Sequence, residues 1–226
     1  MSFDLQVKIA IVGDSYVPRL LKYIDQESGK DVLGKIDRLF NLYREDVYIE
    51  FKGKPGEEFN DLQKLALQEI INNKTDVLVL MAGGNDIDGG KKEPDAVARD
   101  IVDFAKTLVE ADLVKFVIMT QIIARKNPKF SSADVYKNKA RDTNKELETR
   151  TRGEEKLIYW SHGRLSYRSS NGPDGIHLSE VGNYLLYHSL KRAIAHAINH
   201  LAKDEGCGRR QVEKKRRRAG RIERKR

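Results

Sequence analysis

The residues able to do chemistry in this chain fall in four short blocks: Gly13-Asp14-Ser15, Gly53-Lys54-Pro55-Gly56, Gly83-Gly84-Asn85-Asp86 and Asp174-Gly175-Ile176-His177. A serine hydroxyl is a weak nucleophile and needs a base within hydrogen-bond reach. A histidine serves as that base when a carboxylate on its other ring nitrogen fixes the tautomer and steadies the imidazolium. Asp174 and His177, three residues apart, can meet within one turn. Acyl transfer also needs donors aimed at the developing oxyanion: backbone N–H groups where glycine allows close approach, and a carboxamide. The four blocks hold residue types of each kind, and each block also has a plainer reading. Asp14 or Ser15 could cap the helix that follows, Asn85 and Asp86 could end a strand in a turn, and His177 could be a helix-entry residue. Gly53 and Gly56 compete for the place of the second block's donor.

Such blocks need a scaffold that gathers distant parts of the chain. Apolar and β-branched residues from Val7 end abruptly at Gly13-Asp14-Ser15, the pattern of a buried parallel strand followed by a tight turn. Four more strands are predicted at 46–51, 76–82, 116–122 and 156–160. Helical spacing falls between them, first over 17–26 with Pro18 in the opening turn. Leu33, Ile36, Leu39, Phe40 and Tyr43 suggest a second helix within 28–45. Amphipathic stripes follow at Phe59, Leu62, Ala66 and Ile70, and at Val97, Ile101, Ala105 and Leu108. Residues 88–94 read as a polar loop, 131–149 as a helix with a capping start, and 179–203 as a long final helix. Alternating strands and helices predict an α/β fold: a five-stranded parallel sheet covered on both faces. Right-handed crossovers place the strand ends on one rim, where open α/β sheets bind ligands. The expected strand order is the flavodoxin-like 2-1-3-4-5.

Gly13-Asp14-Ser15, an isolated Gly56, Gly83-Gly84-Asn85-Asp86 and Asp174-Gly175-Ile176-His177 stand in the order of the four blocks of the SGNH hydrolases, the GDSL-type esterases and lipases. The chain resembles that family over residues 7–201, with Tyr16 where the family's GDSL motif has leucine. The resemblance implies a three-layer α/β/α sandwich and hydrolysis of esters, thioesters or acetylated sugars through an acyl-enzyme, without cofactor or metal. It implies Ser15 as nucleophile, His177 as base and Asp174 as the carboxylate that orients it. The oxyanion hole would be the backbone N–H groups of Ser15 and Gly56 with the Asn85 side chain. Trp160-Ser161-His162-Gly163 and the compact body are also similar to SGNH domains encoded by animal mobile elements, which are often attached to nucleic-acid-binding segments. That sets an alternative: a nucleic-acid-associated module that keeps the hydrolase fold and works through its tail.

Charge is segregated along the chain. Of 42 Lys and Arg, 11 fall in residues 209–226, beside only two of the 34 Asp and Glu. The rest of the chain therefore holds 31 basic and 32 acidic residues and is almost neutral. Residues 1–203 read as the hydrolase-like domain, 204–208 as a hinge, and 209–226, nearly devoid of apolar residues, as a disordered basic tail. Lys214-Lys215-Arg216-Arg217-Arg218 reads either as a nuclear-import address or as a phosphate-binding patch. Without an aromatic residue the tail has no stacking platform, so nucleic-acid binding through 209–226 would be nonspecific.

No run approaches the roughly 20 apolar residues that span a bilayer, and the first residues lack the basic start and apolar body of a signal peptide. The lone Cys207 leaves no internal disulfide framework and no thiolate zinc site. An intracellular place, cytoplasmic or nuclear, is the expectation. His196 and His200 are spaced to share a metal, but with no third ligand evident they read as polar decoration of a helix. His162 is expected to line the pocket, the other reading being a partner for a backbone carbonyl. Gly53-Lys54-Pro55-Gly56 lacks the Gly-Lys-Ser/Thr ending of a phosphate loop.

Overall fold

A computed structural model describes residues 6–28, 36–42, 47–88, 92–165 and 171–223, with the backbone alone for 204–223. Strands β1 (Val7–Gly13), β2 (Val47–Gly53), β3 (Val77–Met81), β4 (Phe116–Thr120) and β5 (Leu157–Trp160) form one sheet. Every pairing is parallel and the order is β2-β1-β3-β4-β5, as the sequence predicts. The helices are α1 (Tyr16–Glu27), α2 (Phe59–Asn73), α3 (Gly84–Asp88), α4 (Pro94–Glu110), α5 (Ala133–Thr151) and α6 (Glu180–Glu223).

The near-continuous apolar character of the strands follows from burial on both faces. Ile9, Ile11, Val77, Val79, Phe116 and Ile118 share one core with Val17, Leu20 and Ile24 of α1 and Leu186, Leu190 and Ile194 of α6. Their strand neighbours Ala10, Val12, Leu78, Leu80, Val117 and Met119 point the other way, into a core with α2, α4 and α5. Successive side chains of a strand alternate faces, so one sheet separates two helical layers. The register also matters for the site. Gly13 pairs with Gly53 on one side and Met81 on the other, so β1, β2 and β3 end level with one another. The three segments that leave those ends start from one height on the rim.

The helix suggested within 28–45 does not form in its described part; Leu33 and Tyr43 lie outside the described residues. Residues 36–42 turn, with Phe40 and Asn41 at φ 53° and 52°. The Asp37 carboxylate accepts the N–H groups of Leu39 and Asn41, both at 2.9 Å, which offers the backbone an alternative to helical bonds. Phe40 is fully buried there, stacked on Tyr187 with ring centroids 4.7 Å apart.

Helix α6 also differs from its sequence reading. Its backbone stays helical through Gly206-Cys207-Gly208, where a hinge and then disorder were expected, and continues to Glu223. Lys, Arg, Glu, Gln and Ala are good helix formers, and two glycines cost only about 1 kcal/mol each against them. Low apolar content argues against packing; it does not by itself argue against a helix.

Candidate active site

The turn after β1 is held from within. Asp14 is buried, donates its backbone N–H to the Met81 carbonyl, and accepts the Tyr16 N–H on its carboxylate at 3.1 Å. Ser15 occupies the N-cap position of α1, yet its side chain makes no capping hydrogen bond. Its Oγ lies instead 2.9 Å from His177 Nε2. The plain capping reading of Ser15 therefore fails, while Asp14 does serve the turn.

His177 is placed by the loop that precedes α6. The Asp174 carboxylate folds that loop on itself, accepting the backbone N–H of Ile176 at 3.0 Å and of His177 at 2.9 Å on Oδ1. Its Oδ2 lies 2.6 Å from His177 Nδ1. Partial burial pushes the Asp174 carboxyl up, but the His177 ring and the two backbone donors hold it down at about 2. An ionised carboxylate can only accept, so the network gives Nδ1 the proton and leaves Nε2 to accept from the Ser15 hydroxyl. Gly175, at φ 69°, is in the left-handed region that favours glycine. Its carbonyl accepts the Lys126 and Asn127 N–H groups, which ties the loop to the segment after β4. A second tie comes from Tyr16, whose hydroxyl donates to the Ile176 carbonyl at 2.7 Å.

The other two blocks meet beside Ser15. Asn85 opens outward from the short α3 and donates through Nδ2 to the Glu57 carbonyl at 2.8 Å. Asp86, buried, accepts the Phe59 N–H and so caps α2 from outside, where Glu58 provides no side-chain cap. Asn85 and Asp86 thus clamp the 57–59 segment rather than merely ending a strand. The two glycines of the second block differ in position. Gly56, at φ 83°, lines the cavity at Ser15 with open space where a Cβ would stand. Gly53 is packed against Pro18, where a Cβ would lie 2.2 Å from Cδ. The cavity, about 770 Å³, brings Ser15, Gly56, Asn85 and His177 onto one wall.

Arg125, which no sequence pattern singled out, lines the same cavity. It is 3% exposed, and its guanidinium donates to Asn85 Oδ1 at 3.0 Å and Asp88 Oδ2 at 3.3 Å, with Asp14 Oδ2 3.7 Å away. The guanidinium also lies 5.1 Å from the ring centroid of Tyr136. Burial disfavours its charge, yet Tyr136, Tyr16 and Asp14 around it raise its pKa. Burial raises Asp14. It would raise Asp88 too, but the backbone N–H groups of Lys129 and Phe130, the Ser131 hydroxyl and Arg125 keep that carboxyl low. Because Asn85 Oδ1 accepts from Arg125, the amide is oriented, and Nδ2 keeps one hydrogen beyond the bond to Glu57. The available signal was an arginine closing the short apolar run Ile122-Ile123-Ala124 just past a strand end.

His162 is a correction. It is 1% exposed and lies away from the cavity, with Nδ1 2.8 Å from Ser189 Oγ, which also accepts from Trp160 Nε1. Burial pushes its pKa down to about 4. His196 and His200 pack ring against ring on Phe116, with centroids 6.3 Å and 5.1 Å away. Among the described residues no three His, Cys, Asp or Glu side chains cluster as a metal site would need. No helix among them is long and apolar enough to cross a membrane.

No protein-family model matches the chain, and no curated protein matches it. Chains of solved structures do, 70 of them. A GDSL-like lipase from Bacteroides thetaiotaomicron aligns at TM-score 0.65 and 16% identity, over 85% of this chain and 89% of that one. A carbohydrate acetylesterase from Sinorhizobium meliloti aligns at 0.59 and 14%, over 84% and 99%. An inhibitor-bound aryl esterase of M. smegmatis aligns at 0.60 and 15%, over 84% and 99%. At such identities the likeness establishes architecture alone: this chain shares the α/β fold of the GDSL-like lipase and the two esterases.

Proposed function

We propose that the chain is a serine ester hydrolase working through an acyl-enzyme. The observation that carries this reading is the unbroken chain of contacts from Ser15 Oγ to His177 Nε2, and from His177 Nδ1 to Asp174, at the wall of the cavity. The solved esterases that share its fold support the same reaction class. Ser15 Oγ attacks the acyl carbon while His177 Nε2 takes the hydroxyl proton. The carbonyl oxygen becomes an anion, met by the backbone N–H groups of Ser15 and Gly56 and by the remaining Asn85 N–H. Asp174 balances the imidazolium. Collapse breaks the ester C–O bond, His177 returns the proton to the leaving oxygen, and the acyl group stays on Ser15. Water then repeats the sequence, with His177 accepting its proton, and releases the acid.

A fluorophosphonate probe tests the assignment, because it reacts with activated serines. An adduct mapped to Ser15 and absent from Ser15→Ala is the expected result; folded protein that takes up no label at Ser15 would remove the nucleophile.

The basic tail is a separate proposal. Eleven cations in residues 209–226 suit nonspecific phosphate binding, and Lys214–Arg218 would suit nuclear import. The comparisons lend no support to the alternative in which a nucleic-acid module replaces the hydrolase, and a mobile-element origin rests on the resemblance of Trp160-Ser161-His162-Gly163 and of the compact body.

A further inference from the structure

The cavity wall beyond the reacting groups is unevenly charged. Arg19 and Lys22 stand three apart on α1, on one face of that helix, and both line the cavity. Lys129 lines it too, its ammonium 4.9 Å from the centroid of the Phe130 ring. Elsewhere on the body, lysines such as Lys52, Lys54, Lys64, Lys92, Lys106 and Lys115 sit within 4 Å of carboxylates. Among the described residues none of Arg19, Lys22 and Lys129 has such a partner, and all three are exposed. The wall also holds two carboxylates. Asp88 is occupied by Arg125, two backbone donors and Ser131, so the cations on the wall outnumber the carboxylates.

We propose that this cavity selects esters bearing a phosphate at some distance from the ester carbonyl, with Arg19, Lys22 and Lys129 as the subsite for that phosphate. Cations around a concave, partly apolar wall focus a positive field, and a bound phosphate would find three donors that no carboxylate among the described residues claims. Position along α1 sets the reach. Arg19 and Lys22 lie four and seven residues past Ser15, about 6 Å and about 10.5 Å along the helix axis. The phosphate therefore belongs on a part of the substrate several bonds from the reacting carbon. Pro18, Pro55 and Phe130 give the intervening part an apolar surface. The inference rests on the ester-hydrolase reading for turnover, while the subsite is defined by binding alone.

Two measurements separate these. In the first, kcat/KM is compared for phenyl acetate, 4-acetoxyphenyl phosphate and 4-(trimethylammonio)phenyl acetate, each divided by its alkaline hydrolysis rate. The phosphate ester should lead the neutral one by about tenfold or more at low ionic strength, the cationic one should trail, and salt should compress the series. Arg19→Glu/Lys22→Glu/Lys129→Glu should invert the order; Lys22→Gln, a milder change, should narrow it. The second measurement titrates unreactive phenyl phosphate into Ser15→Ala. Salt-sensitive binding that weakens at least about tenfold in the charge-reversed protein supports the subsite even where no ester is turned over and no label enters Ser15, an outcome that would sink only the hydrolase reading. Competition by phosphatidylglycerol vesicles against glucose 6-phosphate then tells a lipid headgroup from a soluble phosphate. Equal turnover of the charged and neutral esters, or absence of phenyl phosphate binding, overturns the proposal.

Discussion

Replacing Arg125 with Met keeps the bulk of the side chain and removes the cation from between two carboxylates. Arg125, Asp14 and Asp88 have side chains only 3%, 4% and 2% exposed, so little water reaches them to take over the lost role. Breaking a buried ion pair by removing one partner costs about 3–5 kcal/mol. The lower end applies here, because Asp88 keeps two backbone N–H groups and the Ser131 hydroxyl. Asp14 keeps the Tyr16 N–H. For a domain of this size each kcal/mol moves Tm by roughly 2–4 °C, so a loss of about 3 kcal/mol predicts roughly 6–12 °C. The pH dependence has a definite sign. Burial already raises the folded Asp14 pKa, and loss of the guanidinium would raise it further. A carboxyl whose folded pKa lies above its unfolded value destabilises the fold most at high pH and ceases to do so as it protonates. The deficit of Arg125→Met, followed by circular dichroism, should therefore be largest at pH 8 and smaller at pH 5. Adding Asp14→Asn, which removes the stranded charge, should recover part of it. A variant that melts within about 2 °C of the parent at pH 8 would refute the buried-charge account.

Ser15→Ala and His177→Ala should lower kcat to a similar residual level, since nucleophile and base act as one unit, whereas Asn85→Ala should cost roughly 10²–10³ in kcat. Asp174→Asn should fall between these classes; full activity in that variant would take Asp174 out of the mechanism. Because Asp174 is lowered to about 2 from 3.8, its contribution to stability is present above about pH 4 and fades as pH falls through 2. Denaturant midpoints of the parent and Asp174→Asn should accordingly converge across that window. Deleting residues 208–226 should abolish salt-dependent DNA binding and leave ester hydrolysis within about twofold, because the last core residue of α6 among the described side chains is Leu201. Equal DNA binding by the shortened chain would put the phosphate-binding surface elsewhere.

The sheet was legible because each strand is a short β-branched or apolar run with a turn at its end, and two-sided burial leaves few other solutions for such runs. Ser15, Asn85, Asp174 and His177 stood out because their blocks fall at strand ends or before the last helix. Residues 36–42 misled because Ile36, Leu39 and Phe40 keep a helical spacing while Asp37 bonds the backbone into turns. His162 misled because a histidine just past a strand end can face either the rim or the core, and the deciding partner, Ser189, lies 27 residues away. Arg125 escaped notice for the same reason. Its meaning depends on Asp14, Asn85 and Asp88, and no local pattern announces a charge whose partners come from two other strand ends.

His177 follows Ser15 by 162 residues and immediately precedes the helix whose Leu186, Tyr187 and Leu190 complete the core around β1. On a ribosome adding roughly 5–20 residues per second, the serine is made about 8 to 30 seconds before its base. During that interval the growing chain can pair its early strands, but its hydroxyl is no more reactive than any other. Under the proposed chemistry the protein would become competent only once the closing helix has docked. The order of synthesis would thus protect nearby esters from an unfinished enzyme.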